Sequence, residues 1–352
     1  MSFFTDIPTI SLIAAVLFSL GIASVVGQVL RRQPEGTVNP ALVQAFNQRL
    51  RAWWLMWAIL ALGLLLGRVV AVVLFGLVSF WALREFITMT PTRRGDHRAL
   101  FWTLCLFTPA QYMLVGLGRS FVGTPEDSWL GFLGGIDFYG VYSIMIPVYA
   151  SLAIPARVAV SGDPKRFLER TAKIQAGLLI CVYSLSYAPA LLDLELYRYA
   201  DGKWVPWEGY TAGMLFYLVL VVQLGDVMQY VGDRVLGKHV IAPAVHASKT
   251  WEGFLGGALT TMLCGALLWW VTPFSFWGSA CMSLVIAVMG FAGSMTMSAI
   301  KRDRGVADFG TLVQGHVGVL DRIDSICFAA PVFYHLTRLF HYAMASPGGP
   351  VS

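Results

Sequence analysis

The chain has 352 residues, of which 57% are hydrophobic and only 13% charged, and its mean hydropathy is +0.66. That is more apolar surface than one water-soluble core of this length can hide, which excludes an ordinary soluble domain and indicates an integral membrane protein. The formal net charge of +5 comes from basic residues gathered in a few short stretches, a distribution suited to anionic lipid headgroups and not to nucleic acid.

A helix that crosses the hydrocarbon core needs about 20 apolar residues, because no water is present there to satisfy the backbone. Ten runs meet this, near 8–30, 52–67, 69–84, 100–118, 137–154, 175–193, 209–226, 252–273, 276–298 and 325–344. The first is read as a retained helix: Asp6 precedes it, where a cleaved signal peptide would carry basic residues. The second and third are separated only by Arg68, so they form either a tight hairpin or one bent segment. The expected fold class is an all-α polytopic membrane protein of about ten transmembrane helices, with polar cytoplasmic loops forming the site. Two regions are expected: N-terminal helices of about six spans over 1–208, and a C-terminal catalytic region over 209–352.

Basic residues of short loops stay on the cytoplasmic side. With ten alternating spans, one set of loops holds 20 of the 25 Lys and Arg, leaving Arg68, Arg119, Arg198, Lys203 and Arg338 on the other side. Both termini are therefore expected to face away from the cytoplasm, as in a bacterial inner-membrane protein. The five cysteines (Cys105, Cys181, Cys264, Cys281 and Cys327) lie in or beside apolar runs without CxxC or CxxH spacing, so neither a disulfide framework nor a zinc site is indicated.

Two loops on the basic side differ from ordinary connections: 224–257, between spans seven and eight, and 301–325, between spans nine and ten. The second holds four Asp, one His, three Arg and four Gly. Glycines let backbone N–H groups approach an anion, Lys and Arg neutralise phosphate charge, and carboxylates hold Mg²⁺, which bridges phosphate oxygens. Such a set suits phosphoryl or nucleotidyl transfer. Single features also have simpler readings. Arg302 and Arg304 beside a span set topology, carboxylates at the start of a helix are stabilised by its dipole, and Thr250 with Glu252 suits a helix cap.

The spacing is more specific. Ser298-x-x-Lys301-Arg302, Asp308, Gly315-His316-x-Gly318 and Asp321-Arg322-x-Asp324 together resemble the signature of the phosphatidate cytidylyltransferases, also called CDP-diacylglycerol synthases. Upstream, Lys249, Thr250, Glu252 and Gly253 match that family's Ser-x-x-Lys-Thr-x-Glu-Gly segment, with His246 in place of the Ser. The resemblance covers about residues 209–330. It implies transfer of a cytidylyl group from CTP to phosphatidic acid, with Mg²⁺ as cofactor, membrane lipids as surroundings and a homodimer left open. Asp321, Asp308, Asp324 and Asp226 are the implied metal ligands, with Asp226 standing in for a carboxylate the family has at Ser294. Lys301, Arg302 and His316 join Asp321 and Asp308 as catalytic residues. Lys249, Thr250, Glu252, Arg322, Gly315 and Gly318 are the implied substrate contacts. Ala307, Val317 and Ser294 depart from the family pattern, which keeps an inactive scaffold in lipid metabolism as an alternative. A secondary transporter is a more distant one.

Overall fold

The apolar runs become helix because each backbone N–H then finds its carbonyl one turn back without help from water. A computed structural model of the chain describes residues 7–31, 40–89, 93–117, 138–200, 203–207, 211–306 and 318–345. The first six helices are α1 (Ile7–Arg31), α2 (Pro40–Leu65), α3 (Arg68–Met89), α4 (His97–Leu117), α5 (Phe138–Ala159) and α6 (Phe167–Asp193). After them come α7 (Thr211–Val235), α8 (Trp251–Leu267), α9 (Phe276–Arg304) and α10 (Leu320–Ala345). By length and composition, seven segments are suited to crossing a membrane: Thr9–Val29 within α1, and α3, α4, α5, α6, α7 and α9. The chain is therefore an all-α polytopic membrane protein, although α2, α8 and α10 do not reach that standard and ten crossings are not established.

Spans two and three are separate helices. The chain breaks at Gly67, whose φ of +101° is a conformation that side chains disfavour, and Leu74 packs back within 3.7 Å of where a Cβ on Gly63 would lie. Two small antiparallel hairpins depart from the all-helical expectation. β1 (Tyr197–Ala200) pairs with β2 (Lys203–Pro206), and β3 (Val240–Ala242) pairs with β4 (His246–Thr250). Alternating large residues flank Asp201-Gly202 in the first, a local hairpin pattern that hydropathy does not register.

Several helices outrun their apolar stretches. α7 continues to Val235 instead of ending near 226, so Asp226 lies nine residues, about 13 Å, inside the helix end and not at it. α9 likewise runs through Lys301 and Arg304 and stops at Gly305 (φ +68°), where the Gly305 and Val306 amides return to the carbonyls of Arg302 and Lys301. These polar extensions are helical because they pack on one another. α7 is central, with residues 212–219 all buried, and it contacts α8, α9 and α10.

Polar contacts gather at the two ends of the bundle. At one end Arg68 pairs with Asp193 and reaches the Val115 carbonyl at 3.2 Å. At the other, Arg93 pairs with Asp163 at 2.8 Å, the buried Arg170 pairs with the buried Asp96, and Arg302 donates to the Val245 carbonyl at 3.3 Å. The loops after α3, α5, α7 and α9 therefore share one end, as alternation of the spans requires.

Candidate active site at the junction of α7 to α10

The site begins with how β4 is held. Asp233 of α7 accepts from both the backbone N–H and the hydroxyl of Thr250, each at 2.8 Å, and the Thr250 oxygen accepts the Gly253 N–H at 3.1 Å. Thr250 is thus the N-cap of α8. A Cβ on Gly253 would occupy the place of the Asp233 carboxylate, so glycine is required there. Glu252 accepts the N–H groups of Lys238 and His239, both at 3.1 Å. Thr250 and Glu252, expected as substrate contacts, are occupied with partners in their own chain.

This anchoring directs the neighbouring Lys249 inward. Its side chain donates to the Ser294 hydroxyl of α9 at 2.7 Å, its ammonium stands 5.1 Å from the centre of the Phe291 ring, and the residue is only 8% exposed. Burial pulls the ammonium below the ordinary lysine value; the charges of Asp226, Asp324 and Asp233 oppose that, while Lys301 adds to it. His246, on the same strand, is also held below the ordinary histidine value, first by burial and then by Lys249 and Lys301, with Asp233 opposing.

The first turns of α10 supply the acids. Asp321 pairs with Lys301 of α9 at 2.8 Å. Asp324 and Asp226 flank one hydroxyl: Ser325 Oγ lies 3.0 Å from an Asp226 oxygen and 3.4 Å from an Asp324 oxygen. α10 comes this near α9 because Gly293 has no side chain; a Cβ there would stand 2.7 Å from the Asp324 carbonyl oxygen. Of the other expected site residues, Gly318 is buried, Arg322 is half-buried and Arg302 is exposed. Asp308, Gly315 and His316 lie outside the described residues, as do Ala307 and Val317.

Four segments distant in sequence thus meet at one end of the bundle, with Lys249, Lys301 and His246 around the carboxylates of Asp226, Asp321 and Asp324. Asp233 and Ser325 belong to this arrangement although sequence reasoning passed them over. Asp226 and Asp233 are spaced i, i+7, which puts both on one face of α7, a signal that was present.

The family model described as the cytidylyltransferase family matches residues 47–340. The chain belongs to this family. The match runs from α2 to α10, so membership takes in the N-terminal helices as well as the stretch that carries the motifs. The uncharacterized protein YnbB of Escherichia coli is 30% identical over 295 residues, which cover 84% of this chain and 88% of that protein. A phosphatidate cytidylyltransferase of Haemophilus influenzae is 32% identical over 242 residues, covering 66% of this chain and 75% of that enzyme. One of Staphylococcus haemolyticus is 33% identical over 120 residues, covering 34% of this chain and 46% of that enzyme. The resemblance read from the motifs is borne out at the level of the family.

The donor chemistry of the site suits a hard divalent cation. Among the described residues no three or more His, Cys, Asp or Glu side chains gather around one point. Asp226 and Asp324, however, are two oxygen donors of like charge beside a single hydroxyl. Mg²⁺ is commonly held in this way, by one or two carboxylates with substrate phosphates completing its shell.

Proposed function

We propose that this chain transfers the cytidylyl group of CTP to the phosphate of phosphatidic acid, giving CDP-diacylglycerol and pyrophosphate. The observation that carries the reading is the buried Lys249 ammonium facing the carboxylates of Asp226 and Asp324, beside the Lys301–Asp321 pair. A buried cation of this kind costs desolvation energy and usually has a task. A phosphatidate oxygen attacks the α-phosphorus of CTP, a new P–O bond forms, and the bond to the bridging oxygen of the β-phosphate breaks. Two polyanions have to be brought together, so catalysis is largely positioning and charge neutralisation. Lys249 and Lys301 offset phosphate charge from inside the bundle, and Arg302, exposed at its end, meets the nucleotide as it enters. Asp226 and Asp324 would hold Mg²⁺, with Asp321 orienting Lys301. Bound there, the ion supplies charge neutralisation for the phosphate oxygens. Asp308 and His316 keep the roles implied by the motif. The site end faces the cytoplasm, in keeping with the gathering of basic residues there.

Purified protein given α-labelled CTP, phosphatidic acid and Mg²⁺ is expected to form a labelled lipid and release pyrophosphate. Absence of labelled lipid, with a related enzyme active in the same preparation, overturns the reading. Other lipid or prenyl phosphates offered in parallel identify the acceptor. One observation favours the scaffold as a second reading: Lys249 is met by the neutral Ser294 where the family pattern has a carboxylate.

A further inference from the structure

One helix of the N-terminal region reaches the site itself. Glu85, near the site end of α3, accepts the backbone N–H of Val319 at 3.1 Å on one carboxylate oxygen and that of Leu320 at 2.9 Å on the other. The first amides of a helix have no partner within it, and a carboxylate placed there is favoured by the helix dipole as well. The residue just before α10 is Val319, which has no side-chain acceptor of its own. Glu85 therefore does from 234 and 235 residues away what a local cap ordinarily does.

α3 holds this carboxylate firmly. The Trp81 indole N–H, one turn earlier, donates to the same Glu85 oxygen at 3.1 Å. On either side, Leu83 and Phe86 are buried against α6, where Phe86 fills the space beside Gly177: a Cβ on that glycine would lie 2.7 Å from its ring. The rotation of α3 is set by this packing, and the place of the carboxylate with it.

We infer that Glu85 is a positioning residue for the reaction proposed above, and the inference rests on that reading. It clamps the opening turn of α10 and thereby sets where Asp321 and Asp324 stand relative to Lys301, Lys249 and Asp226. Glu85 touches neither substrate nor the reacting groups in this scheme; it acts through the backbone of α10.

The test uses the full chain in lipid nanodiscs with three variants: Glu85→Gln, Glu85→Ala, and Glu85→Gln combined with Val319→Thr. Threonine has nearly the shape of valine and places a capping hydroxyl on α10 itself. Turnover is normalised to folded protein, and hydrogen exchange is followed at the Val319 and Leu320 amides. In Glu85→Gln, kcat is expected to fall roughly 10- to 100-fold with KM for CTP within about threefold, since positioning is lost while the nucleotide contacts remain. Both amides exchange faster in Glu85→Ala, and Val319→Thr restores at least about a third of the wild-type kcat to Glu85→Gln. Unchanged protection at both amides overturns the clamp. Lost protection with kcat within twofold of wild type, or no rescue by threonine, overturns the positioning role. If wild type makes no CDP-lipid, the function reading fails, and the exchange data still decide whether Glu85 holds α10.

Discussion

Replacing Gly293 by alanine tests whether the close approach of α9 and α10 places the acids. The added Cβ would stand 2.7 Å from the Asp324 carbonyl oxygen and 3.0 Å from the Phe328 ring, whereas ordinary contact begins at 3.4 Å. α10 must then retreat by about 0.7 Å at the residue that carries the acid, and neither a backbone carbonyl nor a packed ring gives way easily. Overpacking of this kind costs about 1–3 kcal/mol, of which up to about 1 kcal/mol is returned by the better helix propensity of alanine. Misplacement by about 1 Å costs on the order of 100-fold in rate, so a several-fold to tens-fold loss of kcat is expected. Gly290 provides the control. It lies one turn earlier on the same face, and its Cβ would stand 3.5 Å from the nearest atom, Ser325 Cβ, in ordinary contact. Gly290→Ala should keep its activity and melt no lower than wild type. CDP-lipid formation and the apparent Tm in detergent read both variants. If Gly293→Ala matches Gly290→Ala in rate and Tm, the approach of the two helices does not set the site.

Asp321→Asn and Lys301→Met should each lower kcat more than tenfold, and the double variant should be no worse than the weaker single one, because residues acting as one pair are non-additive; multiplicative losses in a double-mutant cycle would separate them. Asp96→Ala leaves the buried Arg170 guanidinium without its main carboxylate and should destabilise the chain by about 3–5 kcal/mol, read as a lower Tm and as protease cleavage near residues 93–96 and 163–166. His246 binds a proton less readily in the folded chain than in the unfolded one, so the unfolded state gains protons as pH drops below the ordinary histidine value and stability falls in that range. The Tm of His246→Asn should accordingly decline less than that of wild type between pH 7.5 and pH 5.5, and parallel curves would remove His246 from that dependence. After single-Cys substitution, impermeant thiol reagents should label the loops near residues 165 and 240 from the cytoplasmic side alone, and labelling of either from the opposite side would reverse the proposed orientation.

Much of this protein was decided by the sequence alone. Ten apolar runs of near membrane length leave the backbone almost no choice but helix, and the hydrogen bonds that make the helix are local, so each helix is found near its run. The basic loops and the motif residues Lys249, Lys301, Asp321 and Asp324 were likewise legible, since their spacing is a property of the chain and the family match follows from it. Other features were decided only by tertiary packing. Hydropathy ended α7 near 226, but the helix runs on to Val235 because its polar end is covered by β4 and α8, which places Asp226 inside the bundle beside Ser325 and Asp324. Thr250 and Glu252 read as substrate contacts until Asp233 and the amides of Lys238 and His239 were found to occupy them. Glu85 carried no signal at all. A carboxylate that caps a helix more than two hundred residues away depends on how α3 rotates against α6, and that rotation is set by the fit of Phe86 beside Gly177. Local hydrogen bonding and solvent preference act on neighbours in the chain and can be read from it. The meeting of α3, β4, α7, α9 and α10 depends on shape complementarity between distant surfaces, which exists only once the helices are packed.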